Sequence, residues 1–258
     1  MIEDKKKIEK LLLEYIKIIF SEYGDYIDNE NMKYVLNNKN LVEFNSSDSI
    51  SFLVKNGILY LPKSAYPMVS IFEKNINYGI NPNDARKLED YLDTNTTYYD
   101  YINHFILAGL TPYEYFKESL LHEAMHLCGN CGGNPLEEGF TELKSRELAQ
   151  KFKIKIAAYG YPKEVEVAKK VQEILGKDVC DQLTFISYEK RRSFLTETVG
   201  IEKTDMFYRV AKMMNELSCS YNEKIQTISN PQEKAEIYSE LDYSSVLDYL
   251  EHFHNIVL

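Results

Sequence analysis

Two histidines and a glutamate lie close together in one apolar stretch of the sequence. Residues 120–127 read Leu-Leu-His-Glu-Ala-Met-His-Leu, so that His122, Glu123 and His126 form an H-E-x-x-H motif. Residues four apart lie one turn apart on the same face of a helix, and both imidazoles can therefore reach one metal ion. A carboxylate beside the first histidine can accept a proton from a water in an open coordination position. The motif predicts a metal centre with His122 and His126 as ligands and Glu123 as the general base.

The residues around the motif predict the helix that would position it. Residues 111–114 read Thr-Pro-Tyr-Glu, which is a capping box with proline at the first helical position, and Gly129 is a natural helix stop. Apolar residues recur at spacings of three and four on the side away from the histidines, at Phe116, Leu120, Ala124 and Leu127. A helix that is otherwise apolar has few reasons to bury two imidazoles and a carboxylate together unless a cation compensates them.

Two histidines do not complete a metal site, and a third ligand has to come from farther along the chain. In the metzincin pattern H-E-x-x-H-x-x-G-x-x-H the last ligand would fall at position 132, which is Gly132 and cannot bind a metal through a side chain. The segment that follows begins with Asn-Pro at 134–135 and predicts a second helix that runs to about Phe152. Its first turns carry three candidate carboxylates, Glu137, Glu138 and Glu142.

This arrangement resembles the gluzincin peptidases, in which a glutamate on a following helix completes a His2Glu zinc site. The resemblance covers residues 111–150 and rests on the H-E-x-x-H motif together with Glu-Gly-Phe-Thr-Glu at 138–142. It implies that Glu138 is the third ligand and that Glu142, one turn later, is the carboxylate that orients a ligand histidine. Glu137 is the alternative ligand, although the helix dipole also favours an ordinary first-turn carboxylate at that position.

The resemblance also implies what the protein would look like and do. The expected fold is α+β and predominantly helical, of zincin-like type, with Zn2+ as the cofactor. The expected activity is that of a metallopeptidase, a hydrolase in which zinc-activated water attacks a peptide bond and Glu123 acts as the general base. The partner would then be a peptide or protein substrate, while its identity and the residue that stabilises the oxyanion stay open.

A second pair of metal-binding residue types, Cys128 and Cys131, follows the motif directly. Joined to the two histidines, these cysteines could form a closed Cys2His2 structural zinc site. Cys128 lies two residues after His126 and therefore points about 200° around the helix from it. As a redox pair the cysteines lack the strand-then-helix setting of thioredoxins. We therefore expect both cysteines to be dispensable for the metal.

Composition limits the other classes of function. The chain has 258 residues, of which 44% are hydrophobic and 27% charged, as in an ordinary globular protein. A net charge of −10 argues against a nucleic-acid partner. Four cysteines are too few for a disulfide scaffold, and no signal peptide or membrane span is readable, so we expect no membrane partner and a cytoplasmic protein.

The rest of the sequence predicts a small N-terminal sheet lobe at residues 1–110 and a helical lobe at 111–258 that carries the metal site, together forming one catalytic unit. Asn56-Gly57 between the apolar runs 50–54 and 58–61 predicts a β-hairpin, and residues 41–44 predict a further strand. By analogy, the edge of the hairpin is a candidate to bind the substrate backbone. Helices are predicted at 6–20, 66–74, 83–92, 97–108, 162–175, 179–199, 205–226, 231–240 and 244–256.

Three functional hypotheses remain open from the sequence. The first is a zinc-dependent peptidase, and the second is a zinc-binding regulatory or effector protein on a peptidase-like fold. The third is a helical interaction protein in which the motif is accidental. Metal content distinguishes the third hypothesis from the others, and the effect of Glu123→Gln on hydrolysis distinguishes the first from the second.

Overall fold

The computed structural model describes residues 2–27, 29–38, 41–44, 53–55, 57–61, 112–129, 133–156, 160–226 and 240–257. Most of these residues are helical. The helices are α1 (Ile2–Tyr23), α2 (Asn29–Asn37), α3 (Pro112–Cys128), α4 (Pro135–Lys151), α5 (Pro162–Leu175), α6 (Lys177–Phe185), α7 (Tyr188–Val199), α8 (Ile201–Gln226) and α9 (Ser244–Val257). The strands are β1 (Val42–Phe44), β2 (Leu53–Lys55) and β3 (Ile58–Leu61). Among the described residues, no helix is both long enough and apolar enough to cross a membrane.

The chain divides into two compact units. The first contains residues 1–129 and 145–160, and the second contains residues 130–144 and 161–258. Helix α4 is continuous and contributes its first ten residues to the second unit and the remainder to the first. The lobe boundary predicted at 110–111 lies outside the described residues, as do the helices predicted at 66–74, 83–92 and 97–108 with His104.

In the first unit, helix α3 packs against α1 and against strands β2 and β3. Strand β3 lies in the middle of the sheet, parallel to β1 and antiparallel to β2. Gly57 has a φ of 69° in the β2–β3 turn, a conformation that glycine adopts without steric cost. The predicted hairpin and the additional strand are therefore confirmed.

Helix α3 is buried on the face that the apolar spacing predicted and also beyond that face. The four residues of the predicted stripe, Phe116, Leu120, Ala124 and Leu127, are buried, and so are the neighbouring Leu121 and Met125. The helix begins at Pro112 and is followed by Gly129, which agrees with the predicted start and stop. This packing fixes the backbone that carries the motif residues.

The second unit is built around one hydrophobic cluster to which helices α4 to α9 contribute. Leu136, Phe140 and Leu143 of α4 contact this cluster, which also contains Val171 of α5 and Val210 of α8. Helices α5, α8 and α9 agree with the predicted elements, although α8 begins at Ile201 rather than Asp205. The helix predicted at 231–240 lies outside the described residues except for Glu240.

The single helix predicted at 179–199 is wrong, because the structure has two helices there. Helix α6 ends at Phe185 and α7 begins at Tyr188, while Ile186 and Ser187 have extended backbone with ψ of 143° and 145°. No proline or glycine marks the break. The carbonyl of Ile186 instead accepts a hydrogen bond from Arg191 Nε, five residues later, a contact that helical periodicity does not reveal.

Replacing Gly139 with alanine should destabilise the second unit. An added Cβ would lie inside contact distance of the Glu164 backbone carbonyl, and such overpacking costs about 1–3 kcal/mol. That cost exceeds the roughly 0.5–1 kcal/mol that alanine gains over glycine within a helix. Urea unfolding should therefore give a lower free energy of unfolding.

The exposed Gln150 near the end of the same helix provides the control, and Gln150→Ala should change the free energy of unfolding little. A Gly139→Ala protein as stable as the wild type would contradict the close approach of α4 and α5.

Candidate metal centre

Helix α3 places the two motif histidines side by side. His122 is buried with 4% of its surface exposed, and His126, one turn later, is half-buried. Their Nε2 atoms lie 3.1 Å apart. In the absence of a cation, one ring has to donate an N–H to the other, whereas a bound cation accepts a lone pair from both. Either way, the two rings present their Nε2 atoms to the same point.

The first turn of α4 positions Glu138. Asn134 caps the helix, because its Oδ1 accepts hydrogen bonds from the backbone N–H groups of Leu136 and Glu137, each at 3.1 Å. The N–H of Glu138 donates to the carbonyl of Asn134 at 3.0 Å. Pro135 occupies the first helical position, where its missing N–H costs nothing. The cap predicted from Asn-Pro is therefore confirmed.

His122, His126 and Glu138 form a group that could bind a metal ion. Each residue offers one ligand atom, and within the described part of the chain these three atoms all lie within 4.8 Å of one another. Two imidazole nitrogens and a carboxylate oxygen are a common donor set for zinc. Zinc–nitrogen bonds of about 2.0–2.1 Å at tetrahedral angles separate two nitrogens by roughly 3.3 Å, which is close to the observed Nε2–Nε2 distance. The donor set therefore fits zinc.

The structure separates the two candidate glutamates of this turn. Glu137 is buried, and its carboxylate forms an ion pair with the buried guanidinium of Arg191 on α7. Glu138 is half-buried and belongs to the group of potential ligands, which does not include Glu137. This placement favours Glu138 over Glu137 as the third ligand.

The Glu138 carboxylate lies near a second carboxylate, that of Glu164 on α5. Burial raises the pKa of the Glu164 carboxyl on α5, and the nearby Glu138 carboxylate raises it further. A hydrogen bond that Tyr243 donates to Glu164 at 3.3 Å acts in the opposite direction. The two carboxylates repel each other, and the neighbouring Lys163 ammonium lowers the pKa of Glu164, so that charges of both signs lie here.

The remaining predicted residues occupy different environments. Glu123 is half-buried on α3, next to His122. Glu142 is almost fully buried, with 1% of its surface exposed. Cys128 is buried as well, burial raises the pKa of its thiol, and it does not belong to the ligand group. Cys131 and Gly132 lie outside the described residues.

The sequence offered Arg191 only as one of several possible oxyanion-stabilising residues, and it indicated neither the nearby Glu164 nor the ion pair between Arg191 and Glu137. Arg191 is 54 positions away from Glu137, and no local motif connects the two residues. Comparison with protein-family models, with curated proteins and with solved structures gives no match.

Glu142 lies one turn beyond Glu138, and we predict that it orients a ligand histidine. Glu142→Gln keeps the size of the side chain but removes its charge. We expect it to weaken zinc binding by about 10- to 100-fold while the protein stays folded. Competition with a chelator measures the affinity, and circular dichroism checks the fold. Loss of zinc as complete as in Glu138→Ala would make Glu142 a ligand, and unchanged affinity would exclude it from the centre.

Proposed function

We propose that the protein is a zinc-dependent metallopeptidase of gluzincin type with a zincin-like fold, acting on a peptide or protein substrate. One observation carries the proposal: two histidines and a glutamate offer ligand atoms within 4.8 Å of one another, and a further carboxylate, Glu123, follows the first histidine. Three protein ligands leave one of the four positions of a tetrahedral centre open, as in catalytic zinc sites.

The burial of these residues supports the proposal. Polar groups inside a protein cost free energy unless a partner compensates them. His122 is 4% exposed and lies on a helix whose other side is packed with apolar residues. Its neighbour in space, His126, offers a second nitrogen 3.1 Å away. A shared cation would bind both nitrogens in place of the hydrogen bond between them.

Within this proposal, the residues of the chain have distinct roles. His122 and His126 bind the metal as neutral imidazoles, and the Glu138 carboxylate binds it as an anion, which leaves the centre with a net positive charge. When bound, a zinc ion acts as a Lewis acid that polarises a carbonyl and lowers the pKa of bound water toward neutrality. The ligands fix where the attacking water and the scissile carbonyl meet.

Glu123 is the group that transfers the proton. A carboxylate oxygen of Glu123 accepts a proton from the attacking water and returns it to the nitrogen of the leaving amine. Its place beside His122 and its half-buried environment suit this role, because partial burial weakens the competition from bulk water. A fourth protein ligand at this position would leave no coordination site open for water, because three donors are already present.

The proposal predicts that the purified protein binds close to one zinc ion per chain. His122→Ala, His126→Ala and Glu138→Ala should each abolish tight binding, because two remaining ligands do not retain the ion at low free concentration. Elemental analysis after dialysis measures the stoichiometry. The exposed His252 on α9 is the control, and His252→Ala should keep its zinc. Full occupancy in all three ligand variants would exclude the site.

Glu123→Gln separates catalysis from metal binding. The variant keeps the three ligands and should therefore retain zinc, but it should lose peptide hydrolysis by about 100-fold or more, because an amide cannot accept the proton. A digest of a broad peptide library by both proteins measures the loss. Zinc without hydrolysis in the wild type would favour a regulatory or effector protein, and unchanged hydrolysis in Glu123→Gln would assign the general base to another residue.

A further inference from the structure

Adjacent glutamates in the first turn of α4 have different surroundings. Glu137 is 6% exposed and forms an ion pair with Arg191, which is 2% exposed. Glu138 is half-buried and belongs to the ligand group. Neighbouring residues on a helix point about 100° apart. The direction of the Glu137 side chain therefore sets the direction of Glu138.

We propose that Arg191 is a positioning residue for the metal centre. By binding the Glu137 carboxylate it fixes the rotation of the first turn of α4, and so directs the Glu138 carboxylate to the metal. This inference rests on the proposed function, because it requires Glu138 to be a ligand. Asn134 and Pro135 determine where α4 begins, but they act on backbone groups and do not set the rotation of the helix against α7.

Arg191 is itself restrained by contacts on several sides. Its Nε donates to the Ile186 carbonyl at 3.3 Å, its guanidinium lies 5.7 Å from the ring centroid of Tyr188, and one terminal nitrogen binds Glu137. The Ile186 carbonyl is available because the backbone is extended between α6 and α7. A planar guanidinium with several fixed partners is held in a more defined orientation than a lysine ammonium.

Removal of the guanidinium would leave Glu137 as a buried carboxylate without its cation. Such a charge is strongly unfavourable. It can be relieved when the first turn of α4 moves toward water, or when Glu137 turns to compete with Glu138 for the metal. Both responses change the coordination of the ion and not only the stability of the unit.

The test measures metal binding by the full-length protein in two ways. Competition with a chelator gives the zinc affinity, and the visible absorption of the Co2+-substituted protein reports the coordination geometry. Arg191→Gln should bind zinc about 10- to 100-fold more weakly and should have an altered cobalt spectrum. The matched control is Arg192→Gln, since the neighbouring arginine is exposed and pairs with Asp205 on the surface. It should bind zinc with wild-type affinity.

Two further variants separate positioning from general destabilisation. Val210→Ala leaves a cavity in the hydrophobic cluster of the same unit, where Val210 is fully buried, and should lower stability while zinc affinity and the cobalt spectrum stay unchanged. Arg191→Lys keeps the positive charge but loses the planar guanidinium group. It is the test variant if the Arg191→Gln protein does not fold. It should weaken zinc binding by a smaller factor and also alter the spectrum.

The outcomes distinguish this inference from the proposed function. If the wild type binds zinc, and the folded Arg191 variant binds it equally with the same cobalt spectrum, the positioning role is wrong and the metal centre stands. If Val210→Ala weakens zinc binding as much as the Arg191 variant, the effect is one of stability and the inference is also wrong. A wild-type protein without metal affinity would overturn the proposed function, and the inference with it.

Discussion

The burial of charge on helix α4 is the constraint on which the arrangement of the second unit depends. Lys144 is 0% exposed, Glu142 1% and Glu137 6%. Desolvating an ionised side chain costs several kcal/mol, and an unpaired buried charge destabilises a protein by about 3–5 kcal/mol. A helix with charges on several faces can pack inside a protein only where other elements offer partners. Lys144 binds Asp181 and Gln172, and Glu137 binds Arg191.

These partners come from three successive helices, α5, α6 and α7, which the hydrophobic cluster packs together. The two kinds of interaction have different effects. Burial of apolar surface is non-directional and holds the helices close to one another. Ion pairs require a specific geometry. A helix rotated out of place would leave its charges unpaired, and this would cost more free energy than the loss of a few methylene contacts, each worth about 0.8 kcal/mol. The apolar residues therefore stabilise the unit, and the charged residues select one rotation of α4.

The packing of α4 also affects the proposed chemistry. Glu138 is half-buried near Glu164, whose pKa is raised by burial and, to a smaller extent, by Glu138. A metal bound only by the folded chain would stabilise that chain by a free energy that grows with the logarithm of the ratio of free metal concentration to the dissociation constant. The close approach of Gly139 to the Glu164 backbone brings these carboxylates together. In the proposed peptidase, accurate placement of Glu138 would thus depend on residues that never contact the metal.

Local signals in the sequence determined a large part of the structure. The H-E-x-x-H spacing, the apolar stripe of α3, the Asn-Pro cap of α4 and the Asn-Gly turn each depend on residues within a few positions of one another, and the structure has the helices and the hairpin that they predicted. The roles of His122, Glu123, His126 and Glu138 in metal binding and catalysis stay predictions, although three of these residues lie together. Only the tertiary structure decided the pairing of Glu137 with Arg191 and the need for glycine at position 139. Each of these depends on a contact between distant parts of the chain, and periodicity and capping signals describe one helix at a time.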